Sequence, residues 1–178
     1  MSDRASSPDP VADPGGYQRH LLGLLGDDDP ERIQAASPAA WRGLVEEAGD
    51  LVAVRPEPQE WSVLECLGHA VDAEIVYAGR YRWILAHDEP PLIGYDQDRW
   101  VAALHGDGDD PQELLGLLET LRAANLALWR RTDAAGRTRV GVHAERGPES
   151  LDLSFRLIAG HDRFHLDQAR RALEAVRG

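Results

Sequence analysis

The sequence predicts an all-α fold, a four-helix bundle with additional short N-terminal helices. Apolar residues recur at helical spacing through most of the chain, and helix-capping residues precede these stretches. No segment shows the strict apolar–polar alternation that is typical of a half-buried strand. The 178-residue chain is 43% hydrophobic, which suffices for one core of ordinary size. We therefore expect one bundle domain over residues 17–178, after an N-terminal tail.

The first segment, MSDRASSPDPVADPGG, is rich in Ser, Asp, Pro and Gly and offers almost nothing to bury. We expect residues 1–16 to form a disordered tail. Two helix starts follow, Asp29-Pro30 and Ser37-Pro38, and in each a capping oxygen precedes a proline at the first helical position. They predict two short helices or one broken helix, with the principal one near residues 38–49.

The next helix has the clearest start. In EWSVLEC, Ser62 and Glu65 match a capping box, in which each side chain binds an unpaired backbone N–H. No proline or turn cluster intervenes before about His87, so a long helix is predicted over residues 62–87. The segment DEPPLIGYDQDRW then predicts a connecting loop, with about one turn of helix near residues 98–103.

Two more principal helices are predicted in the second half. Asp110 caps a helix that has Pro111 inside its first turn, and leucines follow at helical spacing over residues 110–132. The segment VGVHAERGPES predicts a loop with a short extended piece at residues 140–142. The last helix is predicted over residues 151–176, where apolar side chains again recur at helical spacing.

Charge and composition exclude several classes of partner. A net charge of −12 and a pI near 4.9 oppose binding to nucleic acid or to an anionic membrane. The single cysteine, Cys66, cannot form an internal disulfide, and the N-terminus has no secretory pattern. No apolar run approaches the ~18 residues that a membrane-spanning helix needs. We expect a cytoplasmic protein that acts on a small molecule.

The segment GHDRFH carries the most informative spacing. His161 and His165 are four residues apart, so they lie about 40° apart on the helix, on the side that includes Ile158. Two inward imidazoles need partners for all their nitrogens, and a metal ion would satisfy one nitrogen of each. His69, among apolar and small residues of the long second helix, is a candidate third ligand. Three histidines leave a fourth position open, as in catalytic zinc sites.

Other interpretations of these histidines compete with a catalytic site. A lone histidine on an apolar face is more often a core residue with satisfied nitrogens. The pattern His-Asp-x-x-His also resembles a zinc-peptidase helix, but Asp162 is one methylene shorter than the usual glutamate, and only 13 residues follow His165 to supply a third ligand. The stronger alternative is a non-catalytic metal-binding or dimerising bundle of the stress response, in which the histidines hold a structural ion.

Further residues are candidates for supporting roles. Asp72 follows His69 by one turn and Asp162 adjoins His161, so either carboxylate is a candidate to orient a histidine N–H, although a solvated carboxylate is the commoner case. Three residues of the connecting loop are candidates to line the mouth of the site: Tyr95, Asp96 and Trp100.

The remaining histidines receive weaker predictions. His143, in the loop before the last helix, is a candidate to approach the metal, but we expect it to be exposed. The others are interpreted as structural or surface residues: His20, His87 and His105. Cys66 is interpreted as a small buried residue rather than as a ligand.

Two motifs resemble the DinB-like superfamily: W-S-x-x-E-x-x-x-H at the second principal helix and G-H-D-x-x-H at the last. They fall on Trp61, Ser62, Glu65, His69, Gly160, His161, Asp162 and His165. The resemblance also includes the segments DEPPLIGYDQDRW and HAERGPESL, and it extends from about Asp29 to the C-terminus.

The resemblance implies a four-helix bundle, often a homodimer, with a divalent metal ion held by His69, His161 and His165. Relatives with known activity include S-transferases and an isomerase that use mycothiol or bacillithiol, and many others are described as metal-dependent hydrolases. The resemblance therefore implies a hydrolase or a thiol-dependent transferase, and the residues do not decide between these two activities. A transferase would use a low-molecular-weight thiol as a second cofactor. Nitrogen donors suit several metals, of which we expect zinc or nickel.

Overall fold

The computed structural model of the protein describes residue 8 and residues 12–178. The described chain forms helices α1 (Pro14–Leu25), α2 (Pro30–Ala48), α3 (Val63–Ala86), α4 (Gln97–Leu104), α5 (Pro111–Arg131), α6 (Ala134–Arg137) and α7 (Leu151–Arg177), with strands β1 (Pro91–Leu92), β2 (Val140–His143) and β3 (Gly147–Ser150). Residues 1–7 and 9–11 of the predicted tail lie outside the described residues. Helix α1 begins within the predicted tail, where Asp13 caps it by accepting a hydrogen bond from the Gly16 N–H.

Four long helices, α2, α3, α5 and α7, form the bundle, which confirms the predicted fold class. Helices α5 and α7 each pack against both α2 and α3. Consecutive helices α2 and α3 therefore lie at opposite corners, and α1 packs along the outside of α7. None of the described helices is both long and apolar enough to cross a membrane.

The predicted caps set the starts of two principal helices. Ser62 Oγ accepts from the Glu65 N–H at 3.1 Å, and Glu65 Oε2 accepts from the Ser62 N–H at 2.9 Å. At the start of α5, Asp110 accepts from the Gln112 N–H at 2.8 Å. The capping box and the aspartate therefore satisfy backbone N–H groups that would otherwise be unpaired at the helix starts, as expected.

Helix α2 confirms the predicted start at Asp29-Pro30 and corrects the predicted break and new start near residue 38. It is continuous from Pro30, with Pro38 in its interior. Proline has no N–H, so the carbonyl of Gln34, four residues earlier, loses its helical partner. Arg122 of α5 donates to this oxygen at 3.5 Å. Tertiary contact thus supplies a partner that the helix lacks, and the helix does not break there.

A small sheet corrects the prediction that the chain contains none. Strand β2 pairs in parallel with β1 and antiparallel with β3. The predicted extended piece at residues 140–142 belongs to β2. Strands of two to four residues are too short for alternation to stand out in the sequence. The sheet lies beside the bundle, where β2 contacts α3 and β3 contacts α7.

The bundle core consists of two apolar clusters with polar residues between them. The first cluster contains Trp41, Leu67, Leu118 and Leu173, and the second contains Tyr81, Trp129, Phe155 and Ile158. At the intermediate level along the helices lie buried polar side chains: Gln34, His69, Glu74, Arg122, Asn125, His161, Asp162 and His165. This layer positions the candidate site.

Candidate metal centre

Three histidine rings meet inside the bundle. His69 Nε2 lies 3.0 Å from His161 Nε2 and 3.1 Å from His165 Nε2. One nitrogen from each ring lies within 4.8 Å of the other two. All three residues are buried. The structure thus brings together the three histidines that the sequence spacing singles out.

Two packed helices supply these rings. His69 follows the capped start of α3 by about two turns, and His161 and His165 lie one turn apart on α7. Because α3 and α7 are neighbours in the bundle, the ring from α3 faces the pair from α7. Residues four apart share one helix face, so a single helix presents two ligands to one point.

Burial keeps the three imidazoles neutral. Desolvation lowers the pKa of His165 to about 3. It also lowers the pKa of His69 and His161 well below the usual range, with neighbouring histidines adding to the effect. At neutral pH each ring is therefore uncharged and has one nitrogen lone pair available for a metal ion.

A glutamine on α7 orients one of the rings. His165 Nδ1 lies 2.9 Å from Gln168 Oε1, so the ring donates its proton to the amide oxygen. The lone pair of His165 then lies on Nε2, the atom that faces the other two rings. Gln168 was not among the predicted site residues, although its position one turn after His165 on the same face is a visible signal.

Hydrogen bonds among the three rings cannot satisfy this arrangement, whereas a cation can. His69 Nε2 contacts two nitrogens, but a neutral ring has at most one proton at that atom. Two nitrogens at ~2.1 Å from a tetrahedral zinc ion are ~3.4 Å apart. The observed separations of 3.0 and 3.1 Å are close to that value. The donor set therefore fits one divalent ion that all three Nε2 atoms share.

Aromatic rings surround the cluster. The ring of Trp61 stacks on His165, with centroids 6.0 Å apart and an interplanar angle of 20°. The centroid of the Tyr95 ring lies 6.3 Å from that of His69 and 4.5 Å from that of Trp100. Tyr95 of the connecting loop thus reaches the histidine cluster and Trp100 packs behind it, whereas Asp96 is exposed and caps α4.

The two predicted supporting carboxylates contact groups other than the three histidines. Asp72 Oδ2 lies 2.9 Å from Nε2 of His105, whose Nδ1 lies 3.0 Å from Asp109. Asp162 binds Arg122 through both oxygens, at 2.5 and 3.0 Å. Burial raises the pKa of both Asp72 and Asp162, against the lowering effect of these partners.

His143 corrects the prediction that it is exposed. It is 1% exposed and lies in β2, where its Nε2 is 3.2 Å from Arg80 Nη2. It does not belong to the three-histidine cluster. The sequence predicts a loop at this histidine because a strand of four residues is too short to show a clear alternation.

A model of the DinB superfamily matches residues 31–169, which is most of the chain. The chain belongs to the DinB superfamily. All three clustered histidines lie inside the matched range, as the motifs on α3 and α7 predict.

A solved structure shares the fold of this DinB-superfamily chain. YfiT from Bacillus subtilis is described as a probable metal-dependent hydrolase with an unusual four-helix bundle topology. The match has a TM-score of 0.75 and 18% sequence identity, and it covers 99% of this chain and 94% of that one. A search of curated proteins found no significant match.

Proposed function

We propose that this chain is a metal-dependent hydrolase whose divalent ion, zinc or nickel, is held by His69, His161 and His165. The observation that carries the proposal is the convergence of three buried, neutral imidazoles on one point. The description of YfiT as a probable metal-dependent hydrolase supports the same reaction class. The cluster is also accessible, because His161 lines a cavity of about 330 Å³.

The chain's own residues prepare the site for such chemistry. When bound with an open position, a divalent ion supplies Lewis acidity and lowers the pKa of a bound water or thiol. Burial keeps the three imidazoles unprotonated, and Gln168 fixes the proton of His165 on Nδ1. The rings of Trp61 and Tyr95 cover the cluster and limit the access of bulk water.

The test is metal content by elemental mass spectrometry on untagged protein. We expect about one equivalent of zinc or nickel in the parent, as for a single catalytic site. Both His69→Ala and His165→Ala should lose it, because two remaining ligands hold an ion weakly. The matched control is His87→Ala, since His87 is exposed at the end of α3. A folded parent that takes up neither metal would contradict the proposal.

Zinc binding is expected to release almost no protons at about pH 5.5. A ring whose pKa is about 3, as for His165, carries no proton at that pH, so none has to be displaced. Three exposed histidines, with pKa near 6.5, would instead release nearly one proton each. Calorimetry in two buffers of different ionisation enthalpy measures the number of protons released when zinc binds. Release of two or more protons would show that burial does not keep the site neutral.

A thiol-dependent S-transferase is the second candidate, and the same cavity favours it. A volume of about 330 Å³ beside His161 admits a thiol together with part of an electrophile. The zinc-loaded protein can be assayed with a nitrophenyl ester alone, and with cysteine plus chlorodinitrobenzene. Thiol-independent ester cleavage that His165→Ala abolishes supports the hydrolase, whereas turnover only with thiol supports the transferase. The absence of both supports a structural ion.

The setting of this activity is also part of the proposal. We place the chain in the cytoplasm, acting on a small molecule as a homodimer. The net charge of −12 disfavours nucleic acids and anionic membranes as partners. Sedimentation equilibrium of the metal-loaded protein tests the dimer directly.

A further inference from the structure

The cavity beside the histidine cluster has a second, chemically distinct end. Helices α1, α3 and α7 form its walls, and the segment 94–98 and the β2–β3 turn complete them. His161 belongs to one part of this lining, and Arg80 and Arg146 belong to another. Arg80 follows His69 by eleven residues on α3, so the backbone positions of the two residues are roughly 16 Å apart along the helix axis. A molecule that contacts both parts is therefore elongated.

The arginine end of the cavity has an excess of positive charge. Arg80 is 2% exposed and Arg146 is largely buried. Both face a single buried carboxylate, because Glu149 lies 4.0 Å from Arg80 Nη1 and 2.7 Å from Arg146 Nη2. Burial would raise the pKa of Glu149, but Arg146, Ser154 and Arg80 together lower it, so the carboxylate is ionised. Among the buried groups, two guanidinium groups and one carboxylate leave one positive charge; the carboxylate of Glu145, which also acts on Arg146, is exposed.

Hydrogen-bond donors also exceed acceptors at this end. Among the described residues, the buried Arg80 Nε–H and the Tyr17 hydroxyl have no partner. His143 is neutral, since burial and the nearby arginines lower its pKa to about 4, and it can accept at one nitrogen only. Its Nε2 faces Arg80 while its Nδ1 faces the N–H of Glu145. Buried donors without acceptors are costly, so this wall favours a ligand that supplies acceptor oxygens.

The acidic residues of the lining do not cancel this preference. Asp96, Asp98 and Glu145 are exposed, so water weakens their interactions with the buried arginines, although Glu145 still acts on Arg146. Arg80 lies in the low-dielectric interior, where a charge acts several times more strongly. The exposed carboxylates instead disfavour ligands of high negative charge. An excess of one positive charge among the buried groups matches one carboxylate better than a phosphate monoester, which carries roughly −1.5 to −2.

We infer that Arg80 and Arg146 bind a carboxylate group of an elongated small molecule whose other end reacts at the three histidines. The location of the reacting end rests on the proposed function, whereas the carboxylate subsite rests on the arginine wall alone. Arg80 and Arg146 are thus specificity residues for a monoanionic organic acid.

The experiment measures the affinity of two ligand pairs by calorimetry. Zinc-loaded protein is titrated with mercaptoalkanoic acids of increasing chain length and with mercaptoalcohols of the same lengths, because the thiol end binds zinc. We expect one chain length at which the acid binds roughly tenfold or more tightly than the alcohol. In Arg80→Gln and Arg146→Gln this preference should disappear, with the affinity for the alcohol unchanged. Arg19→Gln removes an exposed charge from α1, another helix of the cavity wall, and should keep the preference.

Metal-free protein separates this inference from the proposed function. Hexanoate and hexanol contain no group with high zinc affinity, so their difference in affinity reports on the arginines alone. If the protein holds no zinc but still prefers hexanoate in an Arg146-dependent way, the proposed function fails and the carboxylate subsite stands. Equal affinity for acids and alcohols at every length, in a parent that binds zinc, would overturn the subsite and leave the metal centre intact. Circular dichroism confirms folding, and Arg146→Gln serves if Arg80→Gln does not fold.

Discussion

Replacing Arg122 by methionine is expected to destabilise the fold by about 3–5 kcal/mol at neutral pH, the usual effect of removing one partner from a buried ion pair. Arg122 is 1% exposed and lies between two buried carboxylates. Its Nη2 is 2.9 Å from Glu74 Oε2, and its Nη1 is 2.5 Å from Asp162 Oδ2. Methionine fills a similar volume but leaves both carboxylates without a cation, so the loss reports on charge rather than on packing.

The sign of the pH dependence identifies this cause. Burial already raises the pKa of Glu74 and Asp162, and Arg122 opposes that rise. Without Arg122 both values rise further, so the folded variant binds more protons than the unfolded chain. Stability conferred by such groups is present at low pH and is lost as the pH rises through the folded-state pKa. The difference in free energy of unfolding between variant and parent should therefore be smaller at about pH 5 than at about pH 7.5.

Urea unfolding at both pH values gives this difference directly. The matched control is Arg130→Met, because Arg130 forms an exposed ion pair with Glu31. Exposed pairs contribute about 0–1 kcal/mol, so the control should change little at either pH. A loss at Arg122 that equals the control, or that is the same at both pH values, would show that the carboxylates do not depend on this arginine.

Local chemistry explains why most helix starts were predictable. The starts of α3, α5 and α7 follow from Ser62, Asp110 and Ser150, whose side chains bind N–H groups within three residues. Such contacts are short in sequence, so a pattern search can find them. The start of α2 at Asp29-Pro30 is visible in the same way, but Ser37-Pro38 suggests a second start, and the Arg122 contact that supports the continuous helix comes from residues far along the chain.

The same distinction applies to the candidate site. His161 and His165 are four residues apart, and their spacing alone places them on one face. Asp72 lies one turn after His69 and Asp162 is next to His161, but their contacts go to His105 and Arg122 on other segments. A carboxylate one turn from a histidine has several possible partners, and only the packing of α4 and α5 decides among them. Arg122 is visible in the sequence as a candidate buried charge, because it interrupts an apolar helix face between Leu118 and Leu126.

The close approach of α1 to α7 yields the second large expected effect. Gly160→Ala is expected to destabilise the protein by about 3 kcal/mol or more, which exceeds the typical overpacking penalty because the obstacle is backbone. An added Cβ at Gly160 would lie 2.1 Å from the carbonyl oxygen of Leu21 and 2.7 Å from its carbonyl carbon. No rotamer change relieves a backbone contact, so α1 must move away from α7.

Replacing an exposed glycine should have the opposite effect on stability. Gly43 lies on the exposed face of α2, and an added Cβ there meets no atom within 4 Å. Gly43→Ala should therefore stabilise the protein by about 0.5–1 kcal/mol through helix propensity. Thermal and urea unfolding of both variants measure the contrast. Equal and small effects at Gly43 and Gly160 would mean that α1 does not pack against α7 as described.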